Sequence, residues 1–386
     1  MSVIEGIPTA PESGLPVIVS GMVSAVPGHG GATWAVLQYI HGLRDLGYDP
    51  VLVESIAAVN RTPRVVSYFT HVCESQGLEG RAALIDELGG TFGMKRSDLS
   101  DLVDHAPVLL DLAGTLRDED ILGRIDRRVY VDLDPGFTQL WQTAEDIDMR
   151  LDGHTHHATV GLDIGRPGCR VPTLGVDWVP TLPPVCLDRW TCTEPDGAGA
   201  WTTIANWRGY GSIVHEGRRY GQKAHSFRPL FALPGRTGVT LEVALSIHPE
   251  ERDDLAALER HGWTLLDPGE VASTPDRYRR FIAGSRAEIG IAKEGYVEAD
   301  CGWFSDRSAC YLAAGRPVLA LETGFSRHLP TGLGLLSFRC LDEAIAGVEA
   351  IERDYERHSR AAREIAGSYL DARTVLSRLL DSVGIR

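Results

Sequence analysis

Residues 15–34 read LPVIVSGMVSAVPGHGGATW, and the order of features in them decides the fold. Leu15–Ser20 is a short apolar run, the pattern of a buried strand. Pro27-Gly28-His29-Gly30-Gly31 comes next, a turn built from the residue that tolerates positive φ. Beyond it the spacing of Trp34, Leu37 and His41, with Val36, Tyr39, Ile40 and Leu43, predicts a helix over Ala32–Leu46. Gly47 stops that helix, and Val51–Glu54 reads as the next strand. Strand, glycine turn, helix and strand form a βαβ crossover, the opening unit of a doubly wound parallel sheet.

The alternation continues outward. Helices are predicted over Arg64–Ser75, Asp118–Ile125 and Thr138–Glu145, and strands over Pro107–Leu112, Arg128–Asp132 and Thr159–Leu162. From Gly165 to Gly199 prolines crowd in (Pro167, Pro172, Pro180, Pro183, Pro184, Pro195). That stretch reads as irregular, with an interdomain linker near Pro195-Asp196-Gly197. The pattern then restarts. Strands are expected over Trp201–Trp207, Val239–Ile247, Ala287–Ala292 and Pro317–Leu321. Helices are expected over Pro249–His261, Arg277–Ala283, Ser305–Ala314, Leu341–Ile351 and Tyr355–Leu380. The expected class is α/β, with two Rossmann-like doubly wound domains, residues 1–198 and 199–365, facing a cleft.

Length and composition agree. The chain has 386 residues, 43% hydrophobic and 24% charged, enough for two globular domains. Its formal net charge of −15 disfavours nucleic acid and anionic membrane as partners, because an acidic surface gains nothing from counterion release. A local cluster of Arg and Lys still allows a small anionic ligand. The N-terminal MSVIEGIPTAPESG has neither a basic nor an apolar segment of a secretory signal, and no apolar run approaches a membrane span. Seven scattered cysteines with no C-x-x-C pair suit reduced thiols in a cytoplasm. No oligomeric state is assigned.

Several segments carry candidate chemistry. The Gly28, Gly30, Gly31 turn before a helix offers close backbone approach and a positive dipole end to an anion. It matches only the first half of G-x-G-x-x-G, and Glu54 stands where a dinucleotide site places its ribose-binding acid. His29 is either a general base toward a hydroxyl or a turn residue. Asp132-Leu133-Asp134 is a D-x-D that either serves a metal or caps a strand end before Pro-Gly. His154, His156 and His157 lack a carboxylate or Cys at ligand spacing. Arg208, Arg218, Arg219 and Lys223 form a basic group suited to a diphosphate or to a solvated loop. Ser305 is placed to cap a helix, with Asp306 in its first turn, and Trp303 or Phe304 is placed to stack on a base.

At Tyr311-Leu312-Ala313-Ala314-Gly315-Arg316-Pro317-Val318 the chain resembles the GT-B glycosyltransferases, whose donor-site helix and strand carry E-A-x-A-x-G-x-P-V. The strings Pro27 to Trp34 and Gly302 to Ser308 are similar to those of a bacterial glycosyltransferase-like group, of the family 4/1 kind. The resemblance implies a nucleotide-sugar donor, as co-substrate rather than cofactor, bound mainly by the second domain, and a small-molecule or glycan acceptor beside the first. Arg208 and Lys223 would hold the diphosphate. Asn206, Lys293, Trp303, Ser305, Asp306, Arg307, Ser308, Thr323 and Gly324 would complete the donor site. His29 would be catalytic, with Gly28, Gly30, Gly31, Asp132 and Asp134 on the acceptor side and no metal. Residues 366–386 would form a helix crossing back to the first domain. The E-x7-E of the retaining subgroup is absent: Gly302 and Cys310 stand in its places, with Asp306 between them. Two rivals remain open, a nicotinamide-dependent oxidoreductase and a non-catalytic nucleotide-sugar-binding protein.

Overall fold

A computed structural model describes residues 14–192 and 199–385. The leader reading, on residues 1–13, and the linker reading near Pro195-Asp196-Gly197 lie outside the described residues. Two sheets carry the chain. The first contains β1 (Pro16–Ser20), β2 (Asp49–Ser55), β3 (Ala82–Ile85), β4 (Thr91–Gly93), β5 (Leu109–Leu112), β6 (Arg128–Asp132), β7 (His156–Thr159) and β8 (Trp178–Pro180). Their order is β4-β3-β2-β1-β5-β6-β7-β8, parallel throughout except for the β3–β4 pair. The second is built after β9 (Trp201–Asn206), with a separate hairpin of β10 (Ile213–His215) and β11 (Arg218–Tyr220). It adds β12 (Leu241–Ser246), β13 (Thr264–Leu266), β14 (Ala287–Gly290), β15 (Val318–Leu321) and β16 (Leu335–Phe338) in the order β13-β12-β9-β14-β15-β16. The expected α/β architecture of two doubly wound sheets is present.

Each sheet has one place where the chain changes direction across it. In the first, β2 and β3 lie on one side of β1 and β5 on the other. In the second, β12 and β13 lie on one side of β9 and β14 on the other. Such switch points open a crevice at the carboxyl ends of the strands.

The lobes are joined through the first helix, Gly30–Asp45. The Gly30 N–H donates to the Ala272 carbonyl at 2.8 Å, and the Trp34 indole donates to the Pro275 carbonyl at 2.8 Å. A Cβ at Gly30 would sit 2.3 Å from the Thr274 carbonyl oxygen, and one at Gly31 would sit 2.8 Å from the Tyr278 ring. These glycines therefore serve lobe-to-lobe packing. Trp34, Trp190 and Tyr278 continue the contact as one buried cluster that spans both lobes.

Some elements depart from expectation. The strand expected over Thr159–Leu162 ends at Thr159, because the chain turns at Gly161, closed in by Pro135 and Ile164. The irregular stretch holds β8, an edge strand ending in Pro180, where a missing N–H costs no ladder bond. The single helix expected over Tyr355–Leu380 is broken. Tyr355–Ile365 ends in a wide turn over Ala366–Leu370, beyond which comes Ala372–Ser382. The break makes room for another segment: Val185 donates to the Leu370 carbonyl, and Ala372 donates to that of Val185. Ala372–Ser382 packs on the first helix at Gly42, where a Cβ would lie 2.6 Å from Leu376. Among the described residues no helix is long and apolar enough to cross a membrane.

Two outcomes are expected. Gly30→Ala forces a Cβ against the backbone of Thr274 and should cost about 1–3 kcal/mol, read as a lower urea midpoint. His41 is fully buried, and its Nε2 meets the Gln76 side-chain amide oxygen Oε1 at 3.1 Å. Burial, then the Arg189 charge, pushes its imidazole down to about 4. The unfolded chain takes up that proton near pH 6.5 and the folded chain only near pH 4. Stability should fall across that window by on the order of 3 kcal/mol, and His41→Gln should flatten the fall in pH-dependent urea melts.

Candidate active site

A cavity of about 590 Å³ lies between the lobes. From the first lobe it is walled by Gly28, His29 and Gly31 of the turn after β1, and by Arg64. From the second it is walled by Asn206 at the end of β9, Ser246 at the end of β12, the short helical turn of residues 267–273 after β13, and Asp306 and Arg307. Both switch points thus open into one space. His29, Asn206, Asp306 and Arg307, singled out in sequence, meet there. Arg64, Ser246 and Tyr278 carry no such signal in the sequence; Arg64 and Tyr278 sit on helices whose facing only the fold sets.

The cavity's electrostatics are mixed. Arg307 lies in the first turn of the Asp306–Ala313 helix. Its Nε donates to buried Glu288 at 2.6 Å and its Nη1 to the Ile204 carbonyl at 2.9 Å, which fixes the guanidinium at the wall. Asp306 beside it is open to the cavity yet surrounded by protein. Desolvation pushes its carboxyl above the usual range, opposed by Arg307. Ser305 occupies the N-cap position, but its side chain makes no capping bond.

Other candidates lie off this wall. Arg208 pairs with Glu251, Arg218 with Glu298, and Arg219 with Glu294, so the basic stretch is spent on surface ion pairs. Lys223 is buried, donates to the Ile291 carbonyl, and is held well below the ordinary lysine range by burial and then by Arg307. Lys293 stands 4.1 Å from the Tyr210 ring centre and 3.3 Å from Asp134. Ser305, Ser308, Trp303 and Thr323 line a narrow crevice behind Arg307. The Thr323 and Gly324 amides donate to the Glu322 carboxylate at 3.2 and 2.7 Å, so they do not face a ligand.

The N-lobe acids are similarly engaged. Asp132 is buried and accepts from Thr138, Gln139, Thr159 and the Asp134 amide, which straps β6 and β7 to the Phe137–Ala144 helix. Asp134 accepts from Tyr210 at 3.2 Å and from Tyr296 of the opposite lobe. Glu54 accepts from the amides of Val23, Ser24 and Ala25 and from the Ser24 hydroxyl. It holds the turn after β1 in place, and neither oxygen is turned toward a ribose. His154 contacts Asp111 at 3.0 Å, His157 the Leu151 carbonyl and His156 Thr155, so the three histidines serve separate partners.

No protein-family model and no curated protein sequence matches the chain. Solved structures do. One is an alpha-glucosyltransferase in complex with UDP-glucose and DNA containing an abasic site, 11% identical, with a TM-score of 0.62 over 96% of this chain and 99% of that one. Another is Anabaena HepE in complex with UDP and glucose, 10% identical, with a TM-score of 0.57 over 96% and 99%. A third is the sucrose-phosphate synthase of Thermosynechococcus elongatus, 9% identical, with a TM-score of 0.53 over 95% and 98%. The chain has the GT-B fold. One expectation is overturned: a net charge of −15 disfavours nucleic acid as a partner, yet a protein of this fold is seen with DNA. Whole-chain charge does not set the potential at a particular surface, so the exclusion does not hold.

Glu54→Ala should leave four donors without an acceptor. The expected cost is about 3 kcal/mol, with faster hydrogen exchange of the 23–29 amides as the specific readout.

Proposed function

We propose that the chain is a glycosyltransferase that takes a sugar from a nucleotide-sugar donor to a hydroxyl-bearing acceptor. One observation carries this: the switch points of both sheets, at the ends of β1 and β9, open into a single cavity of about 590 Å³. The size suits a nucleoside diphosphate sugar, and the place is where doubly wound sheets bind such ligands. The GT-B proteins similar to this chain include two solved with UDP.

In this reading Arg307 faces the diphosphate and stabilises the charge that develops as it leaves. Arg64 adds a second cation from the other lobe. Asn206, Ser246 and the 267–273 helical turn supply polar groups for the nucleoside. The donor is a co-substrate and no metal is invoked, since four hydrogen bonds occupy the Asp132 carboxylate and Tyr210, Tyr296 and Lys293 engage that of Asp134. The oxidoreductase alternative is disfavoured by Glu54, whose carboxylate is bound to the loop at Val23–Ala25. The cytoplasm is the compartment proposed, on the strength of cysteines that are all free, four of them buried.

A thermal-shift panel of UDP, GDP, dTDP and NAD(P) tests this. One nucleoside diphosphate should stabilise the chain by about 2.7 kcal/mol at 100 times its dissociation constant. Arg307→Ala should weaken that nucleotide by about 10- to 100-fold, the loss of one charge-assisted contact. Stabilisation by NAD(P) alone would sink the transferase reading.

A further inference from the structure

Beside the larger cavity lies a second one of about 240 Å³. Tyr39 of the first helix, Asp134 after β6, and Tyr296, Trp303 and Phe304 of the second lobe line it. Asp306 borders both cavities. The Tyr296 and Trp303 rings stack with centres 3.9 Å apart and planes 7° from parallel. The Tyr39 hydroxyl belongs to a residue 2% exposed, and it has no hydrogen-bond partner among the described residues. A flat aromatic surface with an idle hydroxyl and two carboxylates suits a molecule with an apolar face and several hydroxyls.

Resting on the donor assignment above, we propose that this second cavity is the acceptor pocket, that it takes a pyranose-sized polyol, and that Asp306 is the catalytic base where the two cavities meet. The sequence directs the base role to His29, which lines only the donor cavity. In the step, the Asp306 carboxylate takes the proton of the acceptor hydroxyl. The freed oxygen pair forms the bond to the anomeric carbon. The bond from that carbon to the phosphate oxygen breaks, and its electron pair leaves with the nucleoside diphosphate. Asp306 then returns its proton to solvent. The groups that act on Asp306 are Arg307 and Cys310 on its own helix, Asp134 on the β6 loop, Tyr39 on the first helix and Tyr278 on the Pro275–Gly284 helix. Desolvation by the two lobes around the cavity raises its carboxyl, which makes it a stronger base than a fully hydrated aspartate.

The test runs in two stages on the full chain. Wild type and Asp306→Asn are first melted with UDP, GDP and dTDP. Absence of any shift in the wild type defeats the donor reading, and this proposal with it. With the nucleotide that binds, its glucose ester is assayed for diphosphate release, with phenyl β-glucoside as acceptor. Asp306→Asn should keep the nucleotide shift, release diphosphate at least ~100-fold more slowly, and lose the rising acid limb of the pH–rate profile. Trp303→Ala should raise the KM for phenyl β-glucoside about tenfold or more. Release by Asp306→Asn at the wild-type rate, or no acceleration of wild-type release by phenyl β-glucoside, overturns the proposal while the nucleotide shift still stands for the donor site.

Discussion

Where Gly30 would carry a side chain, the backbone of Thr274 already stands. That close approach sets the relation of the two lobes, and most of the interlobe architecture depends on it. The first helix starts at Gly30, whose amide hydrogen the Ala272 carbonyl accepts. The positive end of that helix is therefore partly satisfied by protein. What remains open is the turn just before it, Gly28 and His29, which is left facing the end of β9. The interlobe space is what two backbones leave when they touch at one edge.

Charge is arranged by the same economy of contacts. An acidic chain surrounds most of its arginines with carboxylates, and the run from Arg208 to Arg219 ends in three such pairs. Exposed pairs of this kind contribute little to stability, and they leave the cations mobile at the surface. Arg307 differs because its partner, Glu288, is buried, and the pair pins the guanidinium at the cavity wall. Fixed cations cost no reorganisation when an anion arrives or a leaving group develops charge.

Much of the architecture is legible from residues 15–54 and from the restart at Trp201, because buried parallel strands are short apolar runs and crossovers leave helical spacing between them. Gly28, His29, Asn206, Asp306 and Arg307 can be found in sequence since each lies after a strand or opens a helix. Arg64 and Tyr296 cannot be, because their position depends on partners far away in sequence. The proline-rich stretch hides β8, whose pairing is supplied by β7 and not by its own alternation. The composition of the glycine turn announces a close approach but not whether ligand or protein approaches, and at Gly30 and Gly31 it is protein. Arg208 and Lys223 advertise charge, while Glu251 and the Ile291 carbonyl that engage them lie 43 and 68 residues on.

The broken C-terminal helix bears on how the chain is made. Ala372–Ser382 covers a face of the first helix, so that face stays bare until residues 372–382 have left the ribosome. A nascent first lobe must persist through synthesis of the entire second lobe with an uncovered apolar stripe, the condition in which chaperones engage and aggregation competes. Truncation ahead of Ala372 would then leave an N-terminal lobe lacking its cover.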